Sequence, residues 1–172
     1  MAVLPVRTLP DPVLRQKAKK VPGADSSIRK LIENMLETMF AMNGVGLAAP
    51  QVGVPLRIIT ICLPEENAEN IVMLNPEIIK KSGEREIEER CLSVPGYCGK
   101  VKRALTVTAK GRDADWKEIR IKAEGLLAQA LEHEIDHLNG VLYVDLVAKP
   151  EDLVKVQPER EEPELLLQET KA

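Results

Sequence analysis

The chain has 172 residues, a net charge of −3 and four aromatic residues. That length suits one domain with a single core, which must be built from Leu, Ile, Val and Ala. Interspersed acids and bases leave no broad basic face for specific nucleic-acid binding, and no apolar run approaches membrane-spanning length. MAVLPVRTLPDPVLRQ has neither the apolar run of a secretory signal nor the composition of a transit peptide. With an odd set of cysteines, Cys62, Cys91 and Cys98, this points to a reduced, cytoplasmic setting.

Asp11-Pro12 reads as an N-cap and first-turn proline, predicting a short helix through VLRQKAKK. Ile28, Leu31, Ile32, Met35, Leu36, Met39 and Phe40 recur at helical spacing and predict an amphipathic helix that Asn43-Gly44 stops. LRIITIC, NIVMLN, PEIIKK and EREIEE then read as short strands between turns. RALTVTAK and KEIRIKAEG flank GRDADW and predict a hairpin. GLLAQALEHEIDHL runs without a breaker to Asn139-Gly140, and its apolar residues surround the axis, so it reads as a central buried helix. The class is α+β: short antiparallel or mixed strands packed around the helix that carries HEIDH. One catalytic domain is expected over residues 1–148. The Glu-rich stretch from 149 to 172 reads as an acidic, solvated extension.

The only two histidines, His133 and His137, lie four residues apart on that helix. Positions i and i+4 share a face, so two imidazoles can aim at one point. Glu134 sits about a quarter-turn away, where a general base can flank a metal. On an otherwise apolar helix a buried histidine pair needs a partner, which favours metal binding over a chance spacing. A catalytic site usually takes three protein ligands and keeps one position open. No third histidine exists. The residues leave the third ligand open between Cys91, Cys98 and a downstream acid such as Glu151. A peptidase with a glutamate ligand, or a structural metal closed by Cys98, are the competing readings.

Three segments together resemble the peptide deformylase family. GVGLAAPQVG at 44–53 is similar to its glycine-rich motif, ERCLS at 89–93 to its EGCLS motif, and HEIDH at 133–137 to its HExDH motif. The resemblance covers roughly residues 4 to 147. It implies Cys91, His133 and His137 as ligands of one divalent metal, ferrous iron in vivo, with zinc, nickel or cobalt able to replace it. It implies removal of the formyl group from the N-terminal methionine of new polypeptides, with release of formate. Glu134 is then the general base. The side-chain amide of Gln51 and the backbone N–H of Leu92 are the oxyanion donors.

An extended peptide would pair with the main chain at Val45 and Gly46. Leu126 and Ala130, one and two turns before the ligands, are expected to wall the methionine pocket. Asp136 would meet a ligand or a buried base without touching the metal. Arg90 departs from the family by replacing the glycine of EGCLS, and is expected to narrow the cleft or add a substrate contact. Cys98 stands where many members carry a peptide-holding arginine. Transient ribosome association would suit this activity, although the acidic tail offers no grip on RNA.

Overall fold

The computed structural model describes residues 2–156. The stretch 157–172, most of the expected acidic extension, lies outside them.

Helix α1 spans Ser26–Ala41, and Asp25 caps it by accepting from the Ile28 N–H at 2.9 Å. Helix α2 spans Gly125–Leu138. The strands are β1 (Gly46–Ala48), β2 (Ile58–Ile61), β3 (Ile71–Ser82), β4 (Arg85–Cys91), β5 (Val94–Arg103), β6 (Thr106–Arg112), β7 (Glu118–Glu124) and β8 (Leu153–Lys155). They form a five-stranded sheet ordered β1-β2-β3-β6-β7 and a three-stranded sheet ordered β4-β5-β8, antiparallel at every pairing.

The larger sheet lies between the helices, and its sequence shows why. Ile59, Ile61 and Met73 join the cluster built on α2, with Leu131, Ile135 and Leu138. Ile58, Leu47 and Leu74 join Ile32, Met35 and Met39 of α1. Alternate residues of one strand therefore feed opposite cores, and all four positions of β2 are buried. A strand covered on both faces reads as a continuous apolar run, as IITI does.

Three expectations change. The first helix is only a 3-10 turn over Pro12–Arg15, capped by Asp11. Beyond it the backbone is taken by tertiary partners: Ala18 N–H donates to Leu138 O at 2.8 Å and Lys19 N–H to Pro55 O at 2.9 Å. NIVMLN and PEIIKK are one strand. The expected break is a register shift between Leu74 and Glu77, with Asn75 at φ +52° and Pro76 lacking an N–H. VPGYCGKVKR, whose Pro95, Gly96 and Gly99 hide it, is the long strand β5.

The hairpin β6–β7 forms as expected. Asp113 Oδ1 closes its turn by accepting from the Asp115 and Lys117 N–H groups, both at 2.9 Å. Beyond residue 148 the chain stays attached: β8 pairs Cys98 with Val154 and Gly99 with Leu153.

Candidate metal centre and active site

Cys91 is the last residue of β4, and its side chain lies on the inward phase of that strand with Ile87 and Glu89. The three-residue offset of helical turns is irrelevant there; a period of two brings Glu89 and Cys91 to one side. From α2, His133 and His137 meet Cys91. One ligand atom from each of the three lies within 4.8 Å of the others, and all three residues are buried. Cys91 Sγ stands 3.3 Å from His137 Nε2.

His133 Nδ1 is held by Glu89 Oε1 at 2.7 Å, so its Nε2 is the nitrogen left for the shared point. Sulfur and nitrogen donors on one ion at about 2.3 and 2.1 Å lie roughly 3–4 Å apart, which the Cys91–His137 separation satisfies. A soft thiolate with two imidazoles is a donor set for a first-row divalent metal. Cys98 and Glu151 are not in this group, so neither alternative third ligand is brought to it.

Behind His133 runs a chain of buried charges. Arg103 donates to both oxygens of Glu89, from Nε at 2.6 Å and from Nη2 at 2.8 Å, and its Nη1 donates to Asp136 Oδ2 at 2.7 Å. The Glu89 and Arg103 side chains are each only 2% exposed. Burial alone would raise the Glu89 pKa, but the hydrogen bonds from Arg103 and His133 outweigh it and hold the carboxyl at about 2. Asp136 thus meets a buried base, as its position suggested.

Glu89 and Arg103 were missed in the sequence. Their signal was phase: each is a charged residue on the inward-facing positions of an otherwise alternating strand. Burial pushes His137 down, further depressed by His133 and Arg103. His133 is pulled up against its burial by hydrogen bonds with Cys91 and Glu89.

Glu134 projects beside the ligands and is buried. Burial, moderated by the positive field of His133 and reinforced by Glu89, pushes its carboxyl up to about 7. A Cβ on Gly46 would lie 2.7 Å from Glu134 Oε1. A side chain at Gly46 would therefore have to displace the Glu134 side chain.

Gln51 is buried, with its amide oxygen accepting from Ala48 N–H at 2.9 Å. Its Nε2 donates to Ser93 Oγ at 3.1 Å and lies 3.6 Å from Cys91 Sγ. The amide is fixed with its donor side toward the thiolate.

A cleft of about 890 Å³ opens onto this group. Every sequence-predicted site residue except His137 lines it: Val45, Gly46, Gln51, Arg90, Cys91, Leu92, Leu126, Ala130, His133 and Glu134. His137 closes the site from below. Leu92 lies in the two-residue turn joining β4 to β5. Arg90, exposed on β4 between buried Glu89 and Cys91, also lines the cleft. The sequence did not mark Pro95, Gly96, Tyr97 or Val156, which also line the cleft from β5 and the chain beyond β8.

The family model for polypeptide deformylase matches residues 3–152. The chain belongs to the peptide deformylase family. The peptide deformylase of Dehalococcoides mccartyi (strain BAV1) is 52% identical over 164 residues, spanning 95% of this chain and 98% of its own. That of Halothermothrix orenii is 54% identical over 149 residues, covering 87% and 96%. The crystal structure of the Legionella pneumophila peptide deformylase superposes with a TM-score of 0.84 at 48% identity, covering 88% of this chain and 89% of that one. The Synechococcus elongatus enzyme, solved in complex with actinonin, superposes with a TM-score of 0.83 at 41% identity, covering 87% and 81%. The family match thus runs from Val3 to the 3-10 turn just before β8.

Proposed function

We propose that this deformylase-family chain hydrolyses the formamide of N-formylmethionyl polypeptides, releasing formate and a free amino terminus. The observation that carries the reading is the convergence of Cys91, His133 and His137 with the buried carboxyl of Glu134 at the floor of one cleft. A divalent ion held by those three ligands would supply Lewis acidity, activating water near neutral pH and polarising the formyl oxygen.

The chain's own residues do the rest. Glu134, buried beside the three ligands, accepts the proton of the attacking water and passes one to the amine as the C–N bond breaks. Gln51 Nε2 and the Leu92 N–H are the donors for the oxygen that becomes negative. Gln51 is suited to this because its oxygen is committed to Ala48, which fixes the donor end.

Among the described residues β1 is an edge strand of its sheet, paired only with β2. An extended substrate can add to its open side along Val45–Gly46. Leu126, with Ala130 behind it, gives an apolar wall for the methionine side chain. The metal we propose is ferrous iron, with zinc, nickel and cobalt fitting the same donors. The substrate places the protein's work in the cytoplasm, on chains leaving the ribosome.

The test is formate release from a formyl-Met peptide by anaerobically prepared protein, with metal content measured in parallel. Metal-replete protein that releases no formate overturns the reading. Retention of metal by Cys91→Ala overturns the ligand set.

A further inference from the structure

A second cleft, of about 730 Å³, is lined by Lys17, Lys20, Arg57, Lys110, Arg112 and Arg120, against only Glu77 and Glu118. That is six cationic side chains facing two acids on a chain whose net charge is −3. α2 links the clefts: its His133 and Glu134 line the first, and Asn139, its C-cap, lines the second.

The walls are fixed. Arg57 N–H donates to Lys19 O at 2.9 Å, and Asn75 N–H to Arg57 O at 2.8 Å. The Asn75 side chain bonds Val21 N–H at 2.7 Å and Val21 O at 2.9 Å. The 17–21 segment is thereby stitched to β3 at its register shift.

Three features of the charges favour an anion. Lys110 and Arg120 are direct register partners on β6 and β7, so like charges stand side by side on one face, an arrangement that costs stability. Lys110 is balanced by Glu77 at 3.1 Å, but Arg120, Lys17 and Lys20 make no ion pair among the described residues. Arg57 is half-buried, and among the described residues its Nη1 is bound to the neutral acceptors Leu138 O and Asn139 Oδ1, both at 3.1 Å. Burial lowers the Arg57 pKa, with Glu77 opposing it from a distance. A preformed polar recess in which the half-buried Arg57 is joined by Lys17, Lys20 and Arg120, exposed and without ion pairs among the described residues, is a site for groups carrying several negative oxygens.

We propose that this cleft binds phosphate groups, through Arg57, Arg120, Lys17 and Lys20, at a site separate from the metal centre. The phosphates belong either to an RNA backbone or to a small phosphorylated metabolite, and the two sources are separable.

The probes are a fluorescent ten-nucleotide single-stranded RNA and adenosine 3′,5′-bisphosphate, used with nickel-loaded protein at about 150 mM salt. At that ionic strength charges farther apart than about 8 Å are screened. Saturable RNA anisotropy that the bisphosphate displaces identifies a small phosphorylated ligand. RNA binding that the bisphosphate does not displace identifies the backbone.

In either case the pair Lys20→Glu and Arg120→Glu weakens binding by about tenfold or more and flattens the salt dependence by about 1–2 in slope. The control pair Lys100→Glu and Lys102→Glu, exposed on β5 outside both clefts, changes net charge equally and leaves binding within threefold. Deformylase turnover stays at wild-type level in both pairs. Two results overturn the proposal: no saturable binding of either probe, or equal weakening by the two pairs, which would mean diffuse charge attraction alone.

Discussion

Gly46→Ala is the smallest change that should separate the position of Glu134 from its chemistry. Gly46 does not occupy the left-handed region, so alanine meets no backbone obstacle there. A bare Gly→Ala exchange at such a position would stabilise by about 0.4–1 kcal/mol. Here the added Cβ lies 2.7 Å from Glu134 Oε1, 2.9 Å from Cγ and 3.0 Å from Cδ. Ordinary contact begins at 3.4 Å, so the carboxylate must retreat by 0.7 Å (3.4 minus 2.7) or β1 must yield.

β1 is paired with β2 and packs through Ala48 into the α2 core, so the carboxylate gives way first. A displacement near 1 Å at a reacting group costs about 10²-fold in rate. Overpacking costs about 1–3 kcal/mol of stability. The expected result is a kcat on a formyl-Met peptide reduced by about 10²-fold, with metal content unchanged and Tm lower by about 5 °C. A kcat within threefold of wild type would refute the reasoning. So would a raised KM at unchanged kcat, which would assign Gly46 to substrate approach and not to placing Glu134.

Glu134→Gln keeps the shape and removes the base, so turnover should fall by about 10²–10⁴-fold while metal stays bound; loss of metal instead would make Glu134 part of the ligand scaffold. Arg103→Ala leaves Glu89 buried without its partner and should cost about 3–5 kcal/mol, read by chemical denaturation; a loss under about 1 kcal/mol would show that the pair is solvated in solution. Glu89 also sets a pH dependence. Its folded pKa is depressed to about 2, so between there and its ordinary value of 4.5 the unfolded chain binds the proton first, and stability rises with pH across that window. Wild type should therefore lose stability as pH falls from 4.5 toward 2, and Glu89→Gln should lack that segment of the curve. Arg90→Gly should raise KM for formylated peptides with little effect on kcat, and an unchanged KM would remove Arg90 from substrate binding.

What the sequence disclosed was what a local period can carry. α2 was readable end to end because no breaker interrupts it, and its two histidines at i and i+4 needed nothing from elsewhere in the chain. Cys91 was different: the residues alone left it level with Cys98, and only the motif resemblance separated them. The physical reason is that β4 and α2 meet through tertiary packing, which spacing does not encode. β5 was hidden because Pro95, Gly96 and Gly99 are breakers by composition. Gly99 is nonetheless required, since a Cβ there would come within 2.9 Å of Val147 and 3.2 Å of Tyr143. Val13–Lys20 failed as a helix because, past its 3-10 turn, the Ala18 and Lys19 N–H groups are bound by Leu138 and Pro55, far along the chain.

The polar residues of α2 divide by whether their bonds are met. Five of its last seven residues are charged or histidine, yet all five pack against protein. Glu132 accepts from Ala104 N–H at 2.8 Å and meets Lys81 at 3.3 Å. His133 has Glu89, and Asp136 has Arg103. These three are satisfied, and each ties the helix to β3, β4, β5 or the turn after it. Glu134 Oε2 and His137 Nδ1 are buried without a hydrogen-bond partner among the described residues.

An unmet buried polar atom costs roughly 1–3 kcal/mol, and Glu134 is the acid of this helix whose carboxyl has no protein partner for Oε2 among the described residues. Glu134 is the residue assigned proton transfer, whereas His137 Nδ1 is not the nitrogen that faces Cys91, which is Nε2. If that carboxyl is kept for function, Glu134→Leu should fold more stably than wild type while losing turnover. A less stable Glu134→Leu would mean that the carboxyl is satisfied in solution, and the division of the helix into scaffold and chemistry would fall.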